Sequence, residues 1–196
     1  MCNEYGNRIS YRDYVEQFSH IKLPLNFATA APNLEPRDSI RLTDTAPIIR
    51  AAEAGARLDE VRWSWPDPKT RRLVFNMRSE GRKFSRRCLV PASCFYEFTA
   101  PEPGQAKGRK TKWRFTLAGA DWFCIAGTWR PADEATPEAF SMLTCEPGPD
   151  VAPYHDRQVV VLDRASWAAW LDSSVDARDL QKPLPAGRLE VARTTP

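Results

Sequence analysis

Histidine is scarce: the 196 residues contain only His20 and His155. The five cysteines (Cys2, Cys88, Cys94, Cys124 and Cys145) show no CxxC spacing, so no zinc site is expected, and their odd number argues against a disulfide scaffold. No stretch approaches the roughly 20 apolar residues of a membrane span. Glu4, Arg8, Arg12 and Asp13 interrupt any apolar core of a secretory leader. The expected setting is therefore the cytosol. With no repeat and no clear linker, one domain over residues 1–196 is expected, long enough to bury a core of its own. A large net charge is also missing: 28 basic against 25 acidic residues leave +3, too little to demand a polyanionic partner.

The distribution of charge says more than its sum. Lys69, Arg71, Arg72, Arg78, Arg82, Lys83, Arg86 and Arg87 are opposed by a single acid, Glu80. Lys107, Arg109, Lys110, Lys112 and Arg114 follow without an acid among them, whereas the tail from Asp150 is acidic by contrast. Such clusters suit either a face for polyanions or solvated loops.

Ser10 and Asp13 form a capping-box pattern ahead of Tyr11, Tyr14, Val15 and Phe18, which predicts a short helix over about 11–19. Proline-rich residues 21–47 read as irregular. APIIRAAEAGARLDEVRWSW predicts two strands around a turn near Gly55, with Leu58, Val61, Trp63 and Trp65 in alternation. LVFN, RCLVPASCFYEF, KWRFTLAG, DWFCIAGTW, AFSMLTC and RQVVVL add further strands, and TAPEPGQAKGRKTK a polar hairpin loop. Asp163 reads as the N-cap of a helix with Trp167, Trp170 and Leu171, and RLEVAR as a closing strand. The expected fold is α+β, a mainly antiparallel and barrel-like sheet with a few short helices. Cys88, Cys94, Cys124 and Cys145 sit among strand-like apolar residues and read as small buried hydrophobes.

Four residues could carry chemistry. If Met1 is trimmed, Cys2 presents an α-amine and a thiol on adjacent carbons. That amine has a reference pKa of about 7.7–8.0 and is partly unprotonated near neutral pH. It can form an imine with an aldehyde, which the thiol closes to a thiazolidine; alternatively the thiol attacks an acyl group with the amine as base. Read alone, Cys2 is equally residue two of a loose chain end. His155, in a polar turn before an apolar strand, is either a proton shuttle or a surface histidine. His20 ends the first helix and reads as structural. Period-2 alternation places Glu97 beside Phe95, where desolvation would raise its pKa; the alternative is an edge glutamate facing water. Asn76 ends an apolar strand and either orients a substrate or simply makes a turn.

In order, MC at the start, FNMRSE, RCLVPASCFYEF, AGTW and TCEPGPDVAPYHDR resemble the SOS-response-associated peptidase (SRAP) family, from Met1 to about Leu171. The resemblance implies capture of abasic sites in single-stranded DNA as a thiazolidine crosslink through Cys2. It implies removal of the residue ahead of that cysteine and chemistry without a metal or cofactor; a monomer is expected. It assigns the nucleophile to Cys2, substrate orientation to Asn76, and proton transfer to Glu97 and His155. Phosphate contacts fall on Arg78 and Arg157, with Arg86 and Arg87 as further candidates. Trp63 and Trp65 match the family's base-stacking tryptophan segment, with core packing as the alternative and at least one of the two expected in the core; Asn33 matches a segment lining the site, and Thr144 a backbone-contacting threonine.

The chain departs from that pattern at Asn3 and Glu4, where many members have Gly-Arg, and Glu4 is expected to repel a phosphate there. Gln158 and Val159 replace a Met-Pro pair, and Cys94 a glycine. Two other functions stay open: an N-terminal-nucleophile amidohydrolase or self-processing peptidase, and a non-catalytic single-strand-binding module.

Overall fold

The computed structural model describes residues 2–27, 34–101 and 110–194. In chain order the elements are β1 (Glu4–Asn7), α1 (Tyr11–His20), β2 (Leu25–Phe27), β3 (Arg37–Arg41), β4 (Thr45–Ala52), β5 (Gly55–Trp63), β6 (Trp65–Pro66), β7 (Leu73–Val74), β8 (Asn76–Arg78) and β9 (Arg87–Ala92). They continue with β10 (Cys94–Thr99), β11 (Thr111–Leu117), β12 (Phe123–Arg130), β13 (Ala139–Cys145), β14 (Gln158–Val159), β15 (Val161–Leu162), α2 (Trp167–Leu171) and β16 (Leu189–Arg193).

Helix α1 forms because both halves of its capping box are made: Asp13 N–H donates to Ser10 Oγ at 3.2 Å and Ser10 N–H to Asp13 Oδ2 at 3.1 Å. Tyr14 and Phe18 are the buried residues of its core face. Ser10→Ala should cost about 1 kcal/mol and lower Tm by roughly 2–4 °C, read by thermal denaturation.

Two sheets dominate. One runs β16-β11-β10-β1-β3; the other runs β14-β13-β12-β9-β4-β5-β2, with β15 joined to β12 and β8 to β13. A parallel pairing of β13 with β5 (Ala139↔Arg62, Phe140↔Trp63) closes β5, β4, β9, β12 and β13 into a ring. The other parallel pairings are β8 on β13 and β2 on β5; the rest are antiparallel. The fold is thus α+β and mostly antiparallel. Gly55 turns the β4–β5 hairpin at φ +116°, and a Cβ there would lie 2.4 Å from the Pro24 carbonyl oxygen.

Between the sheets lies a core of Cys2, Tyr5, Trp63, Phe95, Phe115, Phe140 and Met142. A second core, with Tyr14, Phe18, Trp122, Trp167 and Trp170, packs the two α-helices on the other face of the larger sheet. All five cysteines are free and buried.

Several elements differ from the sequence reading. RCLVPASCFYEF is two strands in different sheets: the chain crosses at Ser93, whose N–H donates to Gly6 O at 2.8 Å and whose Oγ accepts from Arg8 N–H at 2.9 Å. LVFN breaks at Phe75, whose carbonyl accepts from both Trp63 Nε1 and the Met142 N–H of β13. Residues 21–47 hold β2, β3 and the start of β4; two of these are short edge strands, too brief to show alternation. Asp163 caps no helix with its side chain; it opens a 3₁₀ turn (Arg164–Ser166) and pairs with Arg188 at 2.5 Å. β10 and β11 pair antiparallel, and residues 102–109 of the loop predicted between them lie outside the described residues.

Candidate functional site

Residue 2 lies between the two sheets, with a different partner for each of its polar groups. Cys2 is 1% exposed. Its backbone N–H donates to the Glu97 carboxylate. Its carbonyl accepts from Asn76 Nδ2 at 2.7 Å, and its thiol donates to Glu4 O at 3.2 Å. Burial, reinforced by the Glu97 carboxylate, pushes the thiol pKa well up, so the sulfur is a neutral thiol.

Each partner is placed by a different element. Strand β10 turns Phe95 and Glu97 inward, and Glu97 is 1% exposed. Burial raises its pKa to about 7, so near neutrality it exchanges a proton readily. Asn76 begins β8 and registers with Met142 of β13; its Oδ1 is buried and finds no partner among the described residues. The turn before β14 brings His155 into place: Tyr154 packs its ring on Trp113 at 4.7 Å and on Phe115 at 5.5 Å, both from β11. His155 Nε2 then lies 3.9 Å from Glu97 Oε2.

His155 is held below its ordinary pKa by burial, so the ring is neutral near pH 7. Its Nδ1 accepts from Arg157 N–H at 2.9 Å, which leaves the ring proton on Nε2, the nitrogen facing Glu97. Asp156 Oδ1 is 2.8 Å from the same Nδ1, but that side chain is 89% exposed and water screens it; the backbone amide decides the tautomer. Cys2, Asn76, Glu97 and His155, drawn from four separate stretches, therefore meet at one point. Among the described residues no group of three or more His, Cys, Asp or Glu is placed to hold a metal ion.

The candidate DNA contacts divide. Arg78 is exposed at the end of β8, two residues beyond Asn76. Arg86 is exposed and lies 5.8 Å from the Trp129 ring centroid. Arg157 is committed internally: Nη1 and Nη2 grip Glu80 at 2.6 and 2.9 Å, and Nη2 also donates to Thr144 O. A phosphate would have to displace Glu80. Arg87 is 6% exposed and donates to the carbonyls of Asp172 and Val175, so it is no surface phosphate contact. Thr144 is 1% exposed, and its carbonyl also ties Ser79 to the sheet.

Trp63 is a core residue at 0% exposure, stacked on Phe140, and cannot stack on a base. Ser64, at φ +81°, reverses the chain, and Trp65 emerges half-buried on the β6–β7 hairpin. Asn33, Lys107 and Arg109 lie outside the described residues.

Sequence reasoning missed Glu80 as the partner of Arg157, 77 residues away, and Tyr154 as the side chain that seats the histidine turn. Neither has a local signature. It also misread Glu4, whose side chain lies on the outer face of the smaller sheet with Tyr96 and Lys112, opposite to Glu97. Glu4 is neutralised there and does not confront a phosphate at Cys2.

The family model described as SOS response associated peptidase (SRAP) matches residues 1–195. The abasic site processing protein YoqW of Bacillus subtilis (strain 168) is 28% identical over 195 residues, covering 88% of this chain and 80% of its own. YobE of the same strain, also named an abasic site processing protein, is 26% identical over 193 residues, covering 88% and 82%. A crystal structure of a Bordetella bronchiseptica protein superposes with TM-score 0.73 at 23% identity over 99% of this chain and 100% of the other. One from Bacteroides thetaiotaomicron gives 0.78 at 14% identity over 99% and 92%. The match runs from the first residue to the last strand, and on it the chain belongs to the SOS response associated peptidase (SRAP) family.

Proposed function

We propose that this protein processes abasic sites in single-stranded DNA by capturing the ring-opened sugar aldehyde on Cys2 as a thiazolidine. The observation that carries the reading is the set of contacts on residue 2: its nitrogen on Glu97, its carbonyl on Asn76, and His155 beyond Glu97.

Removal of Met1 turns the Cys2 nitrogen into a primary amine already seated on a carboxyl group. For the sugar to react, its cyclic hemiacetal must open. A base takes the proton of the anomeric hydroxyl while an acid protonates the ring oxygen, a transfer within the competence of neutral His155. The amine adds to the aldehyde carbon, and Glu97 protonates the departing hydroxyl, releasing one water and leaving an imine. The thiol then adds to the imine carbon, its proton passing to nitrogen, and the five-membered ring closes. A buried neutral thiol is a poor attacker of amides but adds readily to an activated imine, which favours aldehyde capture over amide hydrolysis.

Exposed Arg78 supplies a phosphate contact beside the site, and half-buried Trp65 a ring for stacking on a base. Trp65→Ala should weaken binding of single-stranded DNA by about 1–3 kcal/mol with little dependence on sequence, read by fluorescence anisotropy. The reading as a whole is tested by intact mass after mixing processed protein with an abasic oligonucleotide. The expected product weighs the sum of the two less one water and survives denaturant; its absence overturns the reading.

A further inference from the structure

Glu4 is a carboxylate that is 6% exposed, rare for this residue type unless it is paired. Its Oε1 accepts from Lys112 Nζ at 2.6 Å and from the Ser39 hydroxyl at 2.7 Å. The Lys112 ammonium also sits 3.8 Å from the Tyr96 ring centroid. Lys112 belongs to β11, Tyr96 to β10, Glu4 to β1 and Ser39 to β3, which are consecutive strands of the smaller sheet. One lysine side chain thus straps β11 over β10 to β1 on the outer face.

Strand β1 needs such a tie. It is only four residues long; it registers with β10 at Tyr5↔Phe95 and Gly6↔Cys94 and with β3 at Glu4↔Arg41, Tyr5↔Ile40 and Asn7↔Arg37, and the latter pairing shifts register between Tyr5 and Asn7. A short ladder with such an irregularity opens locally more readily than a long regular one. Glu4 lies two residues from Cys2, and Tyr96 adjoins Glu97. The strap therefore joins, from behind, the segment that carries the nucleophile to the segment that carries its carboxyl partner.

We propose that the Glu4–Lys112 strap is a positioning device that keeps the Cys2 amine and carbonyl aligned with Glu97 and Asn76. Its kinetic consequence rests on the aldehyde-capture reading above. Neither residue touches the DNA sugar: both lie on the reverse side of the sheet from Glu97. The acidic residue after the nucleophile is thus a brace, and the unusual start MCNE forms a pair with Lys112.

The test uses full-length processed protein and two near-isosteric variants, Glu4→Gln and Lys112→Met, the latter keeping an apolar stem over Tyr96. Three quantities are read: the first-order rate of adduct formation at saturating abasic oligonucleotide, the Kd for an oligonucleotide with an unreactive tetrahydrofuran abasic analogue, and amide hydrogen exchange over residues 4–7. The strap predicts that the saturating rate falls about tenfold in both variants. It predicts a Kd within about twofold of wild type and exchange over 4–7 about tenfold faster. An unchanged saturating rate, or a loss confined to Kd, overturns it. If wild-type protein forms no adduct at all, aldehyde capture fails, and exchange alone decides the strap: unchanged protection over 4–7 overturns it.

Discussion

Cys2→Ala is expected to give no adduct that survives denaturation, a complete loss against near-stoichiometric trapping by the wild type. The substitution keeps the α-amine and deletes only the sulfur. The alanine amine, seated on Glu97 like that of Cys2, still forms an imine, and that imine hydrolyses once the protein unfolds. Borohydride reduction should therefore rescue an adduct in Cys2→Ala, while wild type needs no reductant. Cys2→Ser lies between them, since a hydroxyl closes a weaker ring. Binding of an unreactive abasic analogue should change little, because Cys2 is 1% exposed and its thiol bonds to main-chain groups of Glu4 and Tyr96. A stable adduct in Cys2→Ala without reductant, measured by intact mass, would sink the assignment.

Glu97→Gln should slow adduct formation by roughly 10²–10⁴-fold, the usual range for losing a positioned acid–base group. Glutamine keeps the shape and the oxygen that accepts from the Cys2 nitrogen, so analogue binding should survive. The pH dependence follows from a carboxyl pKa of about 7. Its acid form declines above that pH, while the Cys2 amine, with a reference value of about 7.7–8.0, gains its free-base form as pH rises. The wild-type rate should pass through a maximum between those values, and Glu97→Gln should lose the alkaline limb.

The same raised pKa bears on stability. Unfolded, the Glu97 carboxyl titrates near 4.5; folded, near 7. Between these the native state holds a proton that the unfolded state has released, so stability falls as pH rises across that window. Above pH 7 the penalty approaches about 3 kcal/mol, and it vanishes below pH 4.5. Glu97→Gln should accordingly be more stable than wild type at pH 8–9 and not at pH 4, by urea denaturation at each pH. A variant that is slower yet more stable would show that the buried carboxyl is retained for function at a cost in stability. Equal stability at both pH values would refute the shift.

Much of the fold is legible in local pattern. The capping box of α1, the β4–β5 hairpin with Gly55 at its turn, and the shared face of Phe95 and Glu97 all follow from spacing along the chain; that this face points inward is set by the fold. So does the burial of the strand cysteines. What local pattern cannot supply is pairing between distant segments. The break at Ser93 reads as continuous strand because its cause, the Gly6 carbonyl, comes from β1. Trp63 and Trp65 look alike in sequence. Only the φ reversal at Ser64 and the bond of Trp63 to Phe75 O put one ring in the core and leave the other half-buried outside.

The chain by itself determined the reactive inventory: a cysteine at position 2, one glutamate among aromatics, one histidine before an apolar strand, and their order along the family pattern. Tertiary structure decided which polar groups are spent on one another. Arg157 is bound to Glu80 and Arg87 to two carbonyls, so neither stands open to a phosphate as a motif would suggest. Glu4 lies on the outer face because strand alternation sets it opposite its neighbour Tyr5, which packs in the core, and Lys112 waits on that outer face. The reason is common to all three: side-chain identity is carried by one residue, but desolvation and neutralisation belong to whatever the fold places within about 4 Å of it.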